Sequence, residues 1–355
     1  MMNTPTLHAR YLEHTGKISD KWRIYLDIYQ QLFLPYTSKP VTLLEIGIQN
    51  GGSLEIWSRH FPHGTRFVGC DIDPNCASLV YDDARISLIV ADANSDAAEH
   101  AIAELSQDYD IVIDDGSHTS RDIVHSFMRY FKRVKEGGLF LAEDLHCSYW
   151  KEFDGGLFDP QSSISFFKRL VDILNFEHWG IPGGRTQVLR DFFEKYGYEV
   201  DNEMLSSIHS IEFFNSVCVV RKSPAAMNEL GVRIFAGHSD LVSSERLSMP
   251  PGKTPPPVQA DNPWSDLSEL YGERHKVLMK QIEAQSSLIQ QLRADVEASR
   301  VAHAADTEAS RVAHAAEMGK VRAELSALQS HKHAMEASWS WRLTRPLRYF
   351  RRLLG

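Results

Sequence analysis

Between Ile111 and Trp150 the chain runs Ile-Val-Ile into Asp114-Asp115-Gly116-Ser117-His118. It then passes through apolar positions Ile123, Phe127, Phe131 and Val134, and on through Gly137-Gly138-Leu139-Phe140-Leu141-Ala142 into Glu143-Asp144. Two short β-type runs that end in acid bracket a segment of helical period, which predicts a β-α-β unit. A parallel unit brings both strand ends to one edge of its sheet, so Asp115, His118, Glu143 and Asp144 are expected to meet there although they are far apart in sequence. Three carboxylates and an imidazole suit a hard cation with a base beside it. Each residue also has a plainer role: an Asp-Gly-Ser turn needs no metal, and strand-end carboxylates often cap a helix. The adjacent Glu143-Asp144 pair resists that explanation, because like charges leaving a buried strand repel unless a cation or donors offset them.

Upstream, Thr42-Leu43-Leu44-Glu45-Ile46-Gly47-Ile48-Gln49-Asn50-Gly51-Gly52-Ser53 reads as a buried strand running through a glycine-rich turn into a helix over Leu54 to His60. Glycines allow a ligand close to the backbone, and the helix start offers free N–H groups. The next strand, Arg66 to Cys70, ends at Asp71, about twenty residues beyond the turn, where a carboxylate can accept both ribose hydroxyls. A third, Ile86 to Val90, ends near Asp92, placed to meet an adenine amino group. Ahead of these, residues 7 to 36 carry an apolar and aromatic face (Trp22, Tyr25, Ile28, Tyr29, Leu32, Phe33) and predict a helix covering one edge of the domain.

The pattern E-x-G-x-x-x-G-G from Glu45 departs from the dinucleotide fingerprint G-x-G-x-x-G and resembles the nucleoside-binding half of class I S-adenosylmethionine-dependent methyltransferases. The resemblance implies an α/β fold: a Rossmann-like domain with a seven-stranded sheet, followed in this chain by a linker and a long α-helical extension. It places Gly47 and Gly51 against the methionine part of the cofactor, Asp71 on the ribose and Asp92 near the adenine, with Glu45, Ser53 and Asp114 counted into the same site. Asp114-Asp115-Gly-Ser-His118 followed by Glu143-Asp144-Leu-His-Cys-Ser-Tyr-Trp150 is similar to the metal-dependent sugar O-methyltransferases of the mycinamicin and macrocin type, whose relatives include proteins labelled cephalosporin hydroxylase. That similarity covers residues 10 to 223, including Ser19-Asp20-Lys21-Trp22, which resembles a threonine-aspartate-lysine element. It implies Asp115, Glu143 and Asp144 as Mg2+ ligands, His118 as the base and S-adenosylmethionine as methyl donor. Tyr149 and Trp150 are the candidates for the acceptor side, whereas Phe166, Phe167 and Phe192 are read as core.

The net charge of -9 argues against a nucleic-acid partner. Four dispersed cysteines without a C-x-x-C pair point to a reducing cytosol. Nothing in the sequence reads as a leader or a membrane span. The domain is expected to close with strands over His209 to Phe214 and Ser216 to Arg221, giving a first unit of 1–223. A proline-containing linker over 224–264 follows, with a short packed piece around Val232 to Phe235. Residues 265–337 read as a helical coiled-coil region: Leu278, Ile282, Ile289, Leu292 and Val296 keep a broken heptad, and EASRVAHAADT is followed by EASRVAHAAEM. An eleven-residue period favours a straight or right-handed coil, with self-association or a partner helix expected along it. His303 and His314 repeat with the unit and are read as helix surface. Residues 338–355 carry five arginines and no acid, with Leu343, Leu347, Phe350 and Leu354 on one stripe, as in interfacial helices. This end resembles the Ser-Trp-Arg-Leu-Thr-x-Pro-Leu-Arg ending of bacterial enzymes of surface-polysaccharide assembly.

The expectation is therefore Mg2+-dependent methylation of a sugar or glycan hydroxyl in surface-polysaccharide biosynthesis, in the cytoplasm and at the inner face of the plasma membrane. Two rivals remain: a glycosyltransferase using the D-x-D at Asp71-Ile72-Asp73, and a non-catalytic scaffold in which the coiled coil is the main business.

Overall fold

The computed structural model describes residues 5–198, 202–239, 241–242, 255–259, 261–262, 265, 267, 271–344 and 348. In chain order its helices are α1 (Leu7–Leu12), α2 (Arg23–Phe33), α3 (Gly52–His60), α4 (Asp96–Leu105), α5 (Ser120–Tyr130), α6 (Ser163–Leu174), α7 (Arg190–Tyr196), α8 (Asn202–Ser206), α9 (Tyr271–Ala337) and α10 (Trp339–Leu343). The strands are β1 (Thr42–Ile46), β2 (Arg66–Asp71), β3 (Ile86–Val90), β4 (Tyr109–Asp114), β5 (Val134–Ala142), β6 (Ile208–Phe214) and β7 (Val217–Lys222). The chain divides into two compact units, Met1–His275 and Lys276–Gly355.

The first unit is built on a seven-stranded sheet of order β3-β2-β1-β4-β5-β7-β6. Strands β1 to β5 pair in parallel and β7 runs antiparallel to both β5 and β6. Alternation along the central strands feeds two cores. Leu44, Val68, Val112 and Phe140 pack on one face with residues of α4 to α7, and Leu43, Phe67, Ile111 and Leu141 pack on the other with α1, α2 and α3. The strand order reverses between β1 and β4, the crevice where open α/β sheets take ligands.

The α/β class and the β-α-β unit are as the sequence implies. Val134, however, opens β5 rather than closing α5. The single helix expected over residues 7 to 36 is two helices, α1 and α2, joined by non-helical chain over residues 13–22. Gly16 lies in that break and fits because a Cβ there would stand 1.9 Å from Glu55 Oε2. Lys17 fixes the same stretch, its ammonium 2.7 Å from Glu55 Oε1. The break carries Ile18 to Trp22 to the wall of the ligand crevice. The packed piece expected around Val232 to Phe235 is exposed. Chain packs further on instead: the Gln259 N–H donates to Gly180 O at 2.9 Å, and Leu267 lies against the core.

All four cysteines are buried free thiols. Among the described residues no helix is long and apolar enough to cross a membrane. Leu347, Phe350 and Leu354 of the expected amphipathic stripe lie outside the described residues.

Candidate functional site

Asp114 ends β4 opposite Ala142 at the end of β5, so Asp115 and the Glu143-Asp144 pair leave the sheet side by side. Backbone bonds lock this edge: the Asp115 N–H donates to Ile46 O and the Glu143 N–H to Asp114 O, each at 2.9 Å. Asp115, His118 and Asp144 each offer one ligand atom, and the three atoms lie within 4.8 Å of one another. His118 Nε2 is 3.6 Å from Asp144 Oδ2. Both residues hold left-handed backbone, φ 59° for His118 and 52° for Asp144, a conformation that non-glycine residues adopt at a cost and that clusters at functional sites. The two carboxylates, partly exposed on the same side of the crevice, are oxygen donors that a hard divalent ion fits, and the His118 imidazole stands beside them.

Glu143 behaves differently from its neighbours. Its carboxylate is 1% exposed and turns back beneath the site. Lys21 Nζ donates to both of its oxygens, at 2.8 and 2.9 Å, and the Tyr29 hydroxyl donates to Oε1. The same ammonium donates to Asp115 Oδ2 and lies 3.7 Å from Glu45 Oε1. Burial alone would favour a neutral amine at Lys21. Attraction from Glu143, Asp115 and Glu45 outweighs it and holds the group protonated well above the usual lysine range. Glu45 in turn accepts from Ser53 Oγ at 2.6 Å and from the Trp57 indole N–H at 3.1 Å. It therefore forms part of the site's floor rather than its wall.

Tyr25, one helical turn from Tyr29, fixes Asp144. Its hydroxyl donates to Asp144 Oδ1 at 2.6 Å, accepts from the Asp144 N–H at 3.1 Å and lies 2.8 Å from Ser216 Oγ in the β6–β7 turn. Sequence reasoning placed Tyr25 and Tyr29 on an apolar face and missed these contacts. Lys21 entered only as part of a short resemblance, and Ser216 only as the start of a strand. The signal that was present is the spacing of Lys21, Tyr25 and Tyr29, four residues apart and each with a polar tip on an otherwise apolar stripe.

The crevice has a volume of about 690 Å³ and runs from this cluster along the ends of β1, β2 and β3. Ser53, Asp71, Asp92 and Asp114 line it, as do Gly47, Asp115, His118, Glu143 and Asp144. Glu45 and Gly51 lie behind the surface. Gly47 has φ +80°, and a Cβ there would stand 2.0 Å from the Asp115 carbonyl oxygen, so the turn and the acidic edge touch through a position that only glycine fits. Asp71 Oδ2 accepts from the Ile48 and Gln49 N–H groups, both at 2.8 Å, which fixes the turn. Asp73 accepts from Asn75 N at 2.9 Å as the cap of a short turn, so both acids of the D-x-D sequence serve the backbone. Asp92 is exposed, and Oδ1 accepts from Asn94 N at 2.9 Å. Asp114 is 4% exposed, with an Oδ2 that is buried and has no hydrogen-bond partner among the described residues. Such an orphaned oxygen at a ligand-sized crevice fits a polar ligand.

Residues 44–145, from β1 to the acidic pair after β5, match a family described as Methyltransferase domain. Over 193 residues this chain is 38% identical to 8-demethyl-8-alpha-L-rhamnosyl tetracenomycin-C 2'-O-methyltransferase of Streptomyces olivaceus, a match that covers 52% of this chain and 49% of the relative. Mycinamicin VI 2''-O-methyltransferase of Micromonospora griseorubida is 36% identical over 165 residues, 43% of this chain and 40% of its own length. The chain spans about half the length, or less, of these curated relatives. Among solved structures, MycE methyltransferase in complex with Mg, SAH and mycinamycin VI superposes with a TM-score of 0.51 at 28% identity, covering 63% of this chain and 55% of that one.

Two measurements test the electrostatics of this site. Lys21→Met strands the carboxylates of Glu143 and Glu45 and is expected to cost about 3–5 kcal/mol of stability in urea unfolding; an unchanged midpoint would show that the ammonium does not balance them. Burial pushes the Asp114 carboxyl up to about 7, whereas in an unfolded chain it ionises at about 3.9. A folded value above the unfolded one means that its stabilisation is full below about pH 4 and is lost as pH rises through about 7. The stability of wild type relative to Asp114→Asn is therefore expected to fall between about pH 4 and about pH 7 and to level off above that, and parallel pH profiles would contradict the assignment.

Proposed function

We propose that the domain transfers the methyl group of S-adenosylmethionine to a sugar hydroxyl, with Mg2+ as its ion. The observation that carries this reading is the gathering of Asp115, His118 and Asp144 at one end of a nucleoside-sized crevice. Its glycine turn and orphaned Asp114 oxygen fit the cofactor, with Asp71 on the ribose side and Asp92 toward the adenine. Sugar-methylating relatives similar over this same stretch, and a structural neighbour holding Mg and SAH, support it.

In this reading Asp115 and Asp144 would hold the ion. Glu143 is the third carboxylate of the set, with a charge governed by Lys21 and Tyr29. When bound, the ion lowers the pKa of a coordinated hydroxyl and fixes its direction. A sulfonium methyl is already activated, so what remains for the protein is alignment and removal of one proton. His118 takes that proton at Nε2, and Asp144, 3.6 Å away, stabilises the imidazolium. Tyr25 keeps Asp144 oriented for this. Trp22 and Trp150 flank His146 at ring-centroid distances of 6.1 and 5.0 Å, and both are about half exposed or more, so they offer a sugar ring apolar faces beside the cluster. The acceptor is read as a glycan of surface-polysaccharide assembly, which rests on the Ser-Trp-Arg-Leu-Thr-x-Pro-Leu-Arg ending of the chain. The same ending supports peripheral attachment of residues 338–355 at the inner membrane face.

His118→Ala is expected to keep S-adenosylhomocysteine binding and to lose about 10²- to 10⁴-fold in methyl transfer from labelled donor to glycan. Turnover near wild type would remove His118 from its role as base. Glycans from a deletion strain are expected to lack one methyl group by mass spectrometry, and an unchanged mass would set aside the surface-glycan acceptor.

A further inference from the structure

Helix α9 is a single helix of 67 residues, and every described side chain along it from Met279 to Ala337 is exposed. Such a helix has little to hold it in isolation, because helical stability in proteins comes mostly from packing an apolar face. The apolar residues form two blocks. The first has Ile282, Ile289 and Val296 alternating with Leu278 and Leu292 in heptad spacing, interrupted once by Gln285. The second runs Met318, Val321, Leu325 and Leu328. Two eleven-residue repeats separate Val296 from Met318, and eleven residues make three turns, so the second block returns to the same line on the helix as the first. Between them that line is occupied by His303 and His314, two turns after Val296 and about one turn before Met318. Val301 and Val312, the apolar residues of the repeat itself, stand more than a third of a turn away. The two blocks therefore share one line from Leu278 to Leu328, which at its centre carries His303, Thr307 and His314.

We propose that α9 pairs with α9 of a second copy of this chain as a parallel, in-register two-stranded coil, in which His303 and His314 face their own counterparts. Three features choose that occupant. β-Branched residues at one seam position and leucine at the other favour two parallel strands, and the first block has this distribution. Residues flanking the seam are complementary in that register. Asp295 meets Arg300 and Glu317 meets Arg322 of the other copy, although Arg300 also reaches Glu297 of its own chain at 3.3 Å. The antiparallel alternative that best overlays the two blocks instead sets Asp295 against Glu324 and Arg293 against Arg322, like against like. Gln285 and the two histidines weaken the seam and penalise slipped pairings, since a polar seam residue is best placed opposite itself. The proposal is independent of the reaction catalysed by the first unit.

Full-length protein carrying Val296→Cys is the direct test. The four native thiols are buried, so the background is low. Mild oxidation is expected to link Val296→Cys to itself across two copies, and Val312→Cys, off the seam, is expected to stay unlinked. Wild type is expected to sediment as a dimer at micromolar concentration, and Ile289→Asp with Leu325→Asp to raise the dissociation constant by about a hundredfold or more. His303→Leu with His314→Leu is expected to tighten it by about tenfold or more. A monomeric wild type would overturn the proposal. So would linkage only between Val296→Cys and Val321→Cys chains, which reports an antiparallel pair. Leucines without effect on dimerisation would overturn the position given to the histidines.

Discussion

One buried ammonium governs the acidic edge of this domain. Three carboxylates, Asp115, Glu143 and Glu45, lie near Lys21, and two of them are within a sheet edge almost closed to water. Without a cation there, repulsion in a medium of low dielectric would drive the carboxylates apart or force them to take up protons. The non-helical stretch over residues 13–22 brings that cation in, and α2 follows it with two tyrosine hydroxyls, Tyr29 donating to the same Glu143 Oε1 and Tyr25 to Asp144 Oδ1. The N-terminal segment is thus a wall of the site as well as a cover for the sheet.

This arrangement divides labour among acids that look alike in sequence. Glu143 and Asp144 are neighbours, yet one is turned inward onto Lys21 and Tyr29 while the other, with left-handed backbone, faces the crevice beside His118. Glu45 and Asp114 are both buried, and each has one oxygen without a hydrogen-bond partner among the described residues; the other oxygen of Glu45 accepts from Ser53 and Trp57, and that of Asp114 from the Gly116 N–H. Partners set the role of each carboxyl, and those partners come from segments distant in the chain.

That is also why the sequence was legible only in part. The strands were readable because apolar runs ending in acid at regular intervals have few alternatives, and parallel pairing then dictates that their ends meet. Gly47 was readable for a similar reason: a Cβ at this turn would stand 2.0 Å from the Asp115 carbonyl oxygen, so the position admits no other residue. The direction in which Glu143 points was not readable, since it depends on Lys21, 122 residues away. Tyr25 and Tyr29 satisfied an apolar pattern with their rings and hid the function of their hydroxyls. In α9 the repeat reads as helix surface at His303 and His314, whereas the line joining the flanking apolar blocks runs through both.

Methyl transfer at this crevice requires that it hold a sulfonium nucleoside next to a divalent ion. Calorimetric titration of S-adenosylhomocysteine into the full chain with Mg2+ present is the most direct measurement of that claim. It is expected to show one molecule bound per chain with micromolar affinity and no heat from a nucleotide diphosphate sugar. Heat from the nucleotide sugar, with S-adenosylhomocysteine unbound, would contradict the account.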